Sequence, residues 1–219
     1  MWIFVFIILI GGCFAITLYI YDNSEFRKLT GYSFFSLFTD KKGRTAYKLV
    51  QSLHKSNGKN KVLLDISLPT TNHKIDAILV HQSGIYILNL QQFNGWIYGR
   101  EQDEAWAEAR HKNKLNKFTN PLIQNKLAIL DLKELLSQPN SEHFHSIVVF
   151  SNDCSFRKVI IHSDNTDVLK MKELKSYWKH STEVILSDDE ISNIYNELKK
   201  YMKFNIANSK TVKSKVVPN

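Results

Sequence analysis

Cysteine, proline and glycine are all scarce in this chain of 219 residues, at 2, 4 and 8. Cys13 lies in an apolar run and Cys154 lies far downstream. A disulfide between them is not expected, so nothing points to an oxidising compartment. The 8 histidines are scattered, and no pair or cluster has the spacing of a zinc motif such as HExxH. Each reads as a surface or core residue, which removes motif-borne zinc chemistry from consideration. No internal repeat is present. No charged residue precedes Asp22, and no Lys or Arg precedes Arg27.

That early lack of charge is the first positive signal. Residues 2–21 are uncharged and mostly Ile, Leu, Phe and Val. As a helix the segment rises about 30 Å, the thickness of a bilayer's hydrocarbon core. At roughly −0.4 kcal/mol per large apolar residue, insertion is favoured by about 5 kcal/mol. Trp2 at one end and Tyr19 and Tyr21 at the other suit the two interfaces. A cleaved signal peptide is the rival reading, but the basic n-region it requires is missing. A lipoprotein signal at Cys13 is opposed by the apolar residues that continue past it. Arg27, Lys28, Lys41 and Lys42 follow the span, so a single-pass plasma-membrane protein with a cytoplasmic C-terminal side is expected.

All of the formal +8 charge belongs to the remainder, with a pI near 9.3. It suits contact with DNA, RNA or anionic lipid, or it serves solubility alone. Residues 22–42 read as a juxtamembrane linker whose Tyr32, Phe34, Phe35 and Phe38 either enter the headgroup region or pack on the soluble domain. A helix is expected over 43–55, then strands over 61–67, 74–81 and 85–90 as an antiparallel meander. Residues 92–116 read as loop-rich. Asn120-Pro121 opens a helix to about Ser137. Strands follow at 145–151 and 158–162 and a helix at 170–179. Ser187-Asp188-Asp189-Glu190 is a capping box for a helix through about Lys203. Residues 204–219 read as a disordered polar tail.

The stretches Lys61–Leu64, Lys74–Val80, Gly84–Leu88, Asn94–Gly99, Trp106, Phe118–Asn125 and Val148–Ser151, in that order and spacing, resemble the nuclease-related domain (NERD) of bacterial and plasmid proteins. The resemblance covers residues 43–155, leaving 156–203 as a C-terminal strand and helices packed on the domain. It implies an α/β fold with a restriction-endonuclease-like core of helix, three-strand meander, helix and strand. It also implies the chemistry of PD-(D/E)xK enzymes. In these an Asp on one strand and an acidic-x-Lys triplet on the next hold magnesium and orient the attacking water.

Here Asp76 matches the first acid, but the triplet falls on Asn89-Leu90-Gln91. The family's early glutamate falls on Arg44 or Tyr47, and its helix glutamine is Gln124. Asp76 alone offers a charged metal ligand. Asn89 offers only a neutral oxygen, and Gln91 neither a cation nor a base. The implied site is therefore Asp76, Asn89, Gln91 and Gln124, inactive or much weakened, with no cofactor expected and magnesium only if activity survives. Such a domain is expected to bind nucleic acid or a protein partner, the alternatives being an active nuclease with a rearranged site or a structural or interaction protein at the inner membrane face. Asp76 read blandly is a strand residue bonded to neighbouring backbone, and Gln124 one that secures the 92–116 loop. Asp65, Glu101, Asp103 and Glu104 are possible replacement acids. Lys112, Lys114 and Lys117 are candidate phosphate contacts. Trp96 and Trp106 read as packing residues, with base stacking as the sharper alternative. Oligomeric state is not legible.

Overall fold

In the computed structural model, residues 2–69, 73–110, 114–137, 143–178 and 183–203 are described. The expected tail at 204–219 and Lys112 lie outside them. The chain forms two compact units, divided between Gln51 and Ser52.

The first unit opens with helix α1, Trp2–Asp22, long and apolar enough to cross a membrane. Two short helices follow inside the expected linker, α2 over Glu25–Thr30 and α3 over Ser36–Thr39. Ser24 caps α2 by accepting from the Arg27 amide at 3.3 Å, and Gly31 ends it in the left-handed region at φ 70°. The aromatic stretch turns back on α1. Phe34 meets Phe14 at 6.3 Å and Tyr21 at 5.4 Å between ring centroids. Helix α4, Lys41–Leu53, carries the chain from the first unit into the second, and its Leu49, Val50 and Leu53 are buried.

The second unit holds two mixed sheets. The first has the strand order β1-β2-β3-β7-β9. Strands β1 (Asn60–Ser67), β2 (Lys74–His81) and β3 (Gly84–Gln91) form the expected antiparallel meander. Strand β7 (Phe144–Phe150) runs parallel to β3, and β9 (Thr166–Lys170) parallel to β7. Gly84 to Asn89 are all buried, which is why this strand reads as a continuous apolar run rather than an alternating one. Gly84 turns the hairpin at φ 139°, where a Cβ would stand 2.7 Å from the His143 carbonyl oxygen.

The loop expected at 92–116 is a correction. It contains β4 (Trp96–Arg100) and β5 (Ala105–Ala109), and β6 (Leu115–Thr119) follows. With β8 (Ser155–Ile160) they form a second sheet in the order β6-β5-β4-β8. The period-two signal is present, since Ile97 and Gly99, then Trp106 and Glu108, alternate inward. Glycine, alanine and a buried glutamate masked it, because none is a favoured strand residue. Strand β9 was also missed. It is a short, polar strand, and it exists through its pairing with β7.

Helix α5, Pro121–Leu135, lies against β3 and β7. Asn120 caps it, accepting from the Leu122 amide at 2.9 Å, as its sequence signature requires. Helix α6, Met171–Tyr177, leads to the buried Trp178. Helix α7, Asp188–Lys199, begins on the Ser187 capping box but ends short of Lys203. Beyond it Met202 bridges to Ile66 and covers the β1 edge.

Candidate functional site

Strands β2 and β3 pair from His81↔Gly84 only as far as Ala77↔Leu88, although both continue. Beyond that point the ladder is broken and a side chain closes the gap. Asp76 Oδ2 accepts the Leu90 N–H at 2.7 Å. The carboxylate substitutes for a carbonyl of the partner strand, and an ionised acceptor of this kind makes a strong bond. This is the bland role foreseen for Asp76, although the residue stays half-buried and has further interactions.

Asn89 and Gln91 project from the same face of β3, two residues apart. Gln91 Nε2 donates to Asn89 Oδ1 at 2.5 Å. Asn89 Nδ2 in turn donates to Gln124 Oε1 at 3.1 Å. The structure thus brings Asp76, Asn89, Gln91 and Gln124 together, with three carboxamides in one directional chain. Gln124 lies in the first turns of α5 and bonds Asn89 rather than the 92–116 segment. Next to it, Asn125 ties the helix to the sheet. Its Nδ2 donates to the Ile87 carbonyl at 3.2 Å and to Ser146 Oγ at 3.0 Å.

The residue that secures the 92–116 segment is Asn120, whose Nδ2 donates to the Glu101 carbonyl at 3.0 Å and the Asp103 carbonyl at 2.7 Å. One side chain therefore caps α5 and clamps the β4–β5 turn. Two candidate replacement acids of that turn, Glu101 and Asp103, accept backbone amides. Glu101 accepts the His162 amide at 2.6 Å and the Ser163 amide at 3.0 Å. The Ser163 hydroxyl, with these amides, holds the Glu101 pKa below its ordinary value. Asp103 accepts the Arg100 amide at 3.0 Å. Asp65 differs. Leu64 pairs with Ala77 and Ile66 with Ile75, so Asp65 stands across the ladder from Asp76, at φ 48°.

Glu108 went unread in the sequence. It is buried, and Oε1 accepts the amides of Asn94 at 3.0 Å and Gly95 at 2.9 Å. Burial alone raises its pKa and is the largest single influence. The two amides and the Arg110 guanidinium, which bonds Oε2 at 2.6 Å, together bring it below the ordinary value. Trp106 is a core residue, stacked with Phe150. Trp96 is 45% exposed and lies outside the core. Lys114 and Lys117 are exposed at and on β6. An open groove of about 680 Å³ beside α5, lined in part by Lys126, Leu130 and His162, holds none of the four site residues. Among the described residues, no group of three or more His, Cys, Asp or Glu is placed to hold a metal ion.

These features define a mixed α/β protein with an N-terminal apolar helix and a polar site where two central strands separate. The chain belongs to the nuclease-related domain (NERD) family, which matches residues 41–151. An uncharacterised protein of Bacillus anthracis is similar to it, 29% identical over 162 residues that cover 72% of this chain and 75% of the relative. No solved structure matches the chain.

Proposed function

We propose that this is a single-span plasma-membrane protein whose NERD domain faces the cytoplasm and binds nucleic acid through a nuclease-like framework that no longer hydrolyses it. The observation that carries this reading is the amide chain Gln91–Asn89–Gln124 beside Asp76. In a PD-(D/E)xK site the positions of Asn89 and Gln91 supply a second carboxylate and an ammonium. Here Asn89 Oδ1 already accepts from Gln91, and Gln124 Oε1 from Asn89. Magnesium is usually held by one or two carboxylates plus substrate phosphates, so Asp76 beside neutral amide oxygens that already accept hydrogen bonds makes at most a weak site for it. Loss of the electrostatic elements that stabilise the transition state costs orders of magnitude in rate. The order α4, β1-β2-β3, α5, β7 supports reading the core as restriction-endonuclease-like. On this reading residues 2–21 anchor, 22–42 connect, 43–155 form the NERD domain and 156–203 pack on it.

One observation favours a second reading, an active metal-dependent nuclease with a rearranged site. Asp65 lies at the register position opposite Asp76, between the Leu64–Ala77 and Ile66–Ile75 pairs, and a second carboxylate turned into the site from there would restore the charge that Asn89 lacks. The full chain, purified in detergent, is to be incubated with DNA and RNA and magnesium or manganese. The first reading expects salt-sensitive binding without cleavage. Cleavage abolished by Asp76→Ala or Asp65→Ala establishes the second. Absence of nucleic-acid binding together with binding to anionic vesicles would leave a structural role at the inner leaflet.

A further inference from the structure

The second sheet has one face on the core and one in solvent. Inward, Ile97 and Trp106 join Phe150 and Leu122 in a cluster, with Phe118 and Phe156 against it. Outward, the registers align Lys117, Ala107, Tyr98 and Lys158 in one row across four strands. The next row runs Leu115, Ala109, Trp96 and Ser155.

Three features of this face are unusual for a solvent-facing sheet. First, the outward positions of the central strand β5 are Ala105, Ala107 and Ala109. Alanine is disfavoured in strands, and solvent faces usually carry longer side chains. Here the small side chains make a shallow floor between the walls of β4 and β6. Second, the β4 wall is aromatic, with Tyr98 beside Trp96. A bulge at Ile97/Tyr98 inserts Arg157 into β8, and its guanidinium lies 4.2 Å from the centroid of the Trp96 ring. That contact fixes the ring and adds positive charge. Third, Lys117 and Lys158 stand about 14 Å apart at the two ends of the Tyr98 row, three strand spacings of about 4.8 Å. No residue in either row is acidic, because Glu108, the acid of β5, points inward.

We infer that this face binds single-stranded nucleic acid, with bases stacked on Trp96 and Tyr98 and phosphates met by Lys117, Lys158 and Arg157. A sheet face that offers aromatic rings between cations suits unstacked bases, since every base has a π-face. A duplex keeps its base faces inside, and this flat trough has no helix or ribbon to enter a groove. A lipid surface is less well matched, because the floor is alanine and Leu115 is the sole large aliphatic side chain in the two rows. The inference takes its ligand class from the preceding reading but places the contact on a different surface.

The full chain in detergent micelles is to be titrated with fluorescent oligothymidine and with the same length of duplex, read by anisotropy. Tighter binding of the single strand is expected. Trp96→Ala and Tyr98→Ala each weaken it about tenfold or more, from stacking alone. Lys117→Ala combined with Lys158→Ala weakens it and lowers the slope of log affinity against log salt by about 1.4. All four residues lie on the outer face, and unchanged thermal melting of each variant verifies the fold. Single-strand binding that these variants leave intact overturns the inference while sparing the wider nucleic-acid reading. Absence of any oligonucleotide binding removes both. Preference for duplex, or anionic-vesicle binding lost in the same variants without oligonucleotide binding, also overturns it.

Discussion

Gln91 Nε2 donates to Asn89 Oδ1 at 2.5 Å, so the oxygen nearest in kind to a metal ligand at that position is engaged by its own strand neighbour. Asn89→Asp with Gln91→Lys would replace the amide pair by an acid and an ammonium. The double variant is expected to acquire manganese-dependent thermal stabilisation that the wild type lacks. Metal at a hundredfold excess over Kd adds about 2.7 kcal/mol. Equal melting with and without manganese in both proteins would show that an acid and an ammonium at these two positions do not suffice to make a metal site.

Asn120 performs two tasks with one carboxamide, capping α5 and holding the Glu101 and Asp103 carbonyls. Asn120→Ala is expected to cost about 2–3 kcal/mol in urea unfolding, from a lost cap and unsatisfied buried carbonyls. Asn120→Asp should not recover that loss. It restores the cap but sets a carboxylate against the same carbonyl oxygens. Recovery of full stability in the Asp variant would show that the clamp is unimportant.

Gly99 lies beneath the Trp106 ring, where an added Cβ would come within 2.2 Å of ring Cδ2. Gly99→Ala is expected to destabilise by about 3 kcal/mol, the upper part of the usual overpacking range. Backbone and a rigid ring leave little room for relief. A melting temperature within a degree or two of wild type would contradict this packing.

Acid should weaken the second unit from near neutrality. Burial, the largest influence, holds the pKa values of His81 and His145 below 6.5, despite opposing effects that include the Asn57 carbonyl at His81 and Asp167 at His145. The unfolded chain takes up these protons at higher pH than the native one. Stability is therefore lost as pH falls through about 6.5, until the lower native values are reached. Glu101 and Glu108, with native pKa values lowered, add a second loss as pH falls through the carboxylate range. The check is the urea midpoint between about pH 7 and pH 5. His145→Phe keeps a ring stacked on Tyr86 and should flatten the slope. A midpoint independent of pH over that range would refute the buried-neutral assignment.

The meander of β1, β2 and β3, the Asn120 cap and the Ser187 capping box were legible because each depends on neighbours in sequence. Periodicity, a preorganised proline and a side chain three residues from its partner are local facts. Of the second sheet only the edge strand β8 was legible, as the strand expected at 158–162. Its inner strand β5 carries Ala105, Ala107 and Ala109. In the first sheet, β9 takes its place by parallel pairing with the distant β7. The amides at Asn89 and Gln91 were plain in the sequence, and a backbone bond was one of the two readings of Asp76. Nothing in the spacing foretold the mutual hydrogen bond of the amides or that Leu90 would be the partner of Asp76.

The apolar stretch at 2–21, the neutral amides Asn89 and Gln91, and the surplus of cations follow from the sequence alone, because composition and residue identity set charge and hydrophobicity. Tertiary structure decided that β2 and β3 separate beside Asp76. It also decided that Glu108 turns inward and that Trp96 and Tyr98 share an open face with Lys117 and Lys158. Those outcomes depend on strand register, and pairing between distant segments sets register through the burial of whole faces.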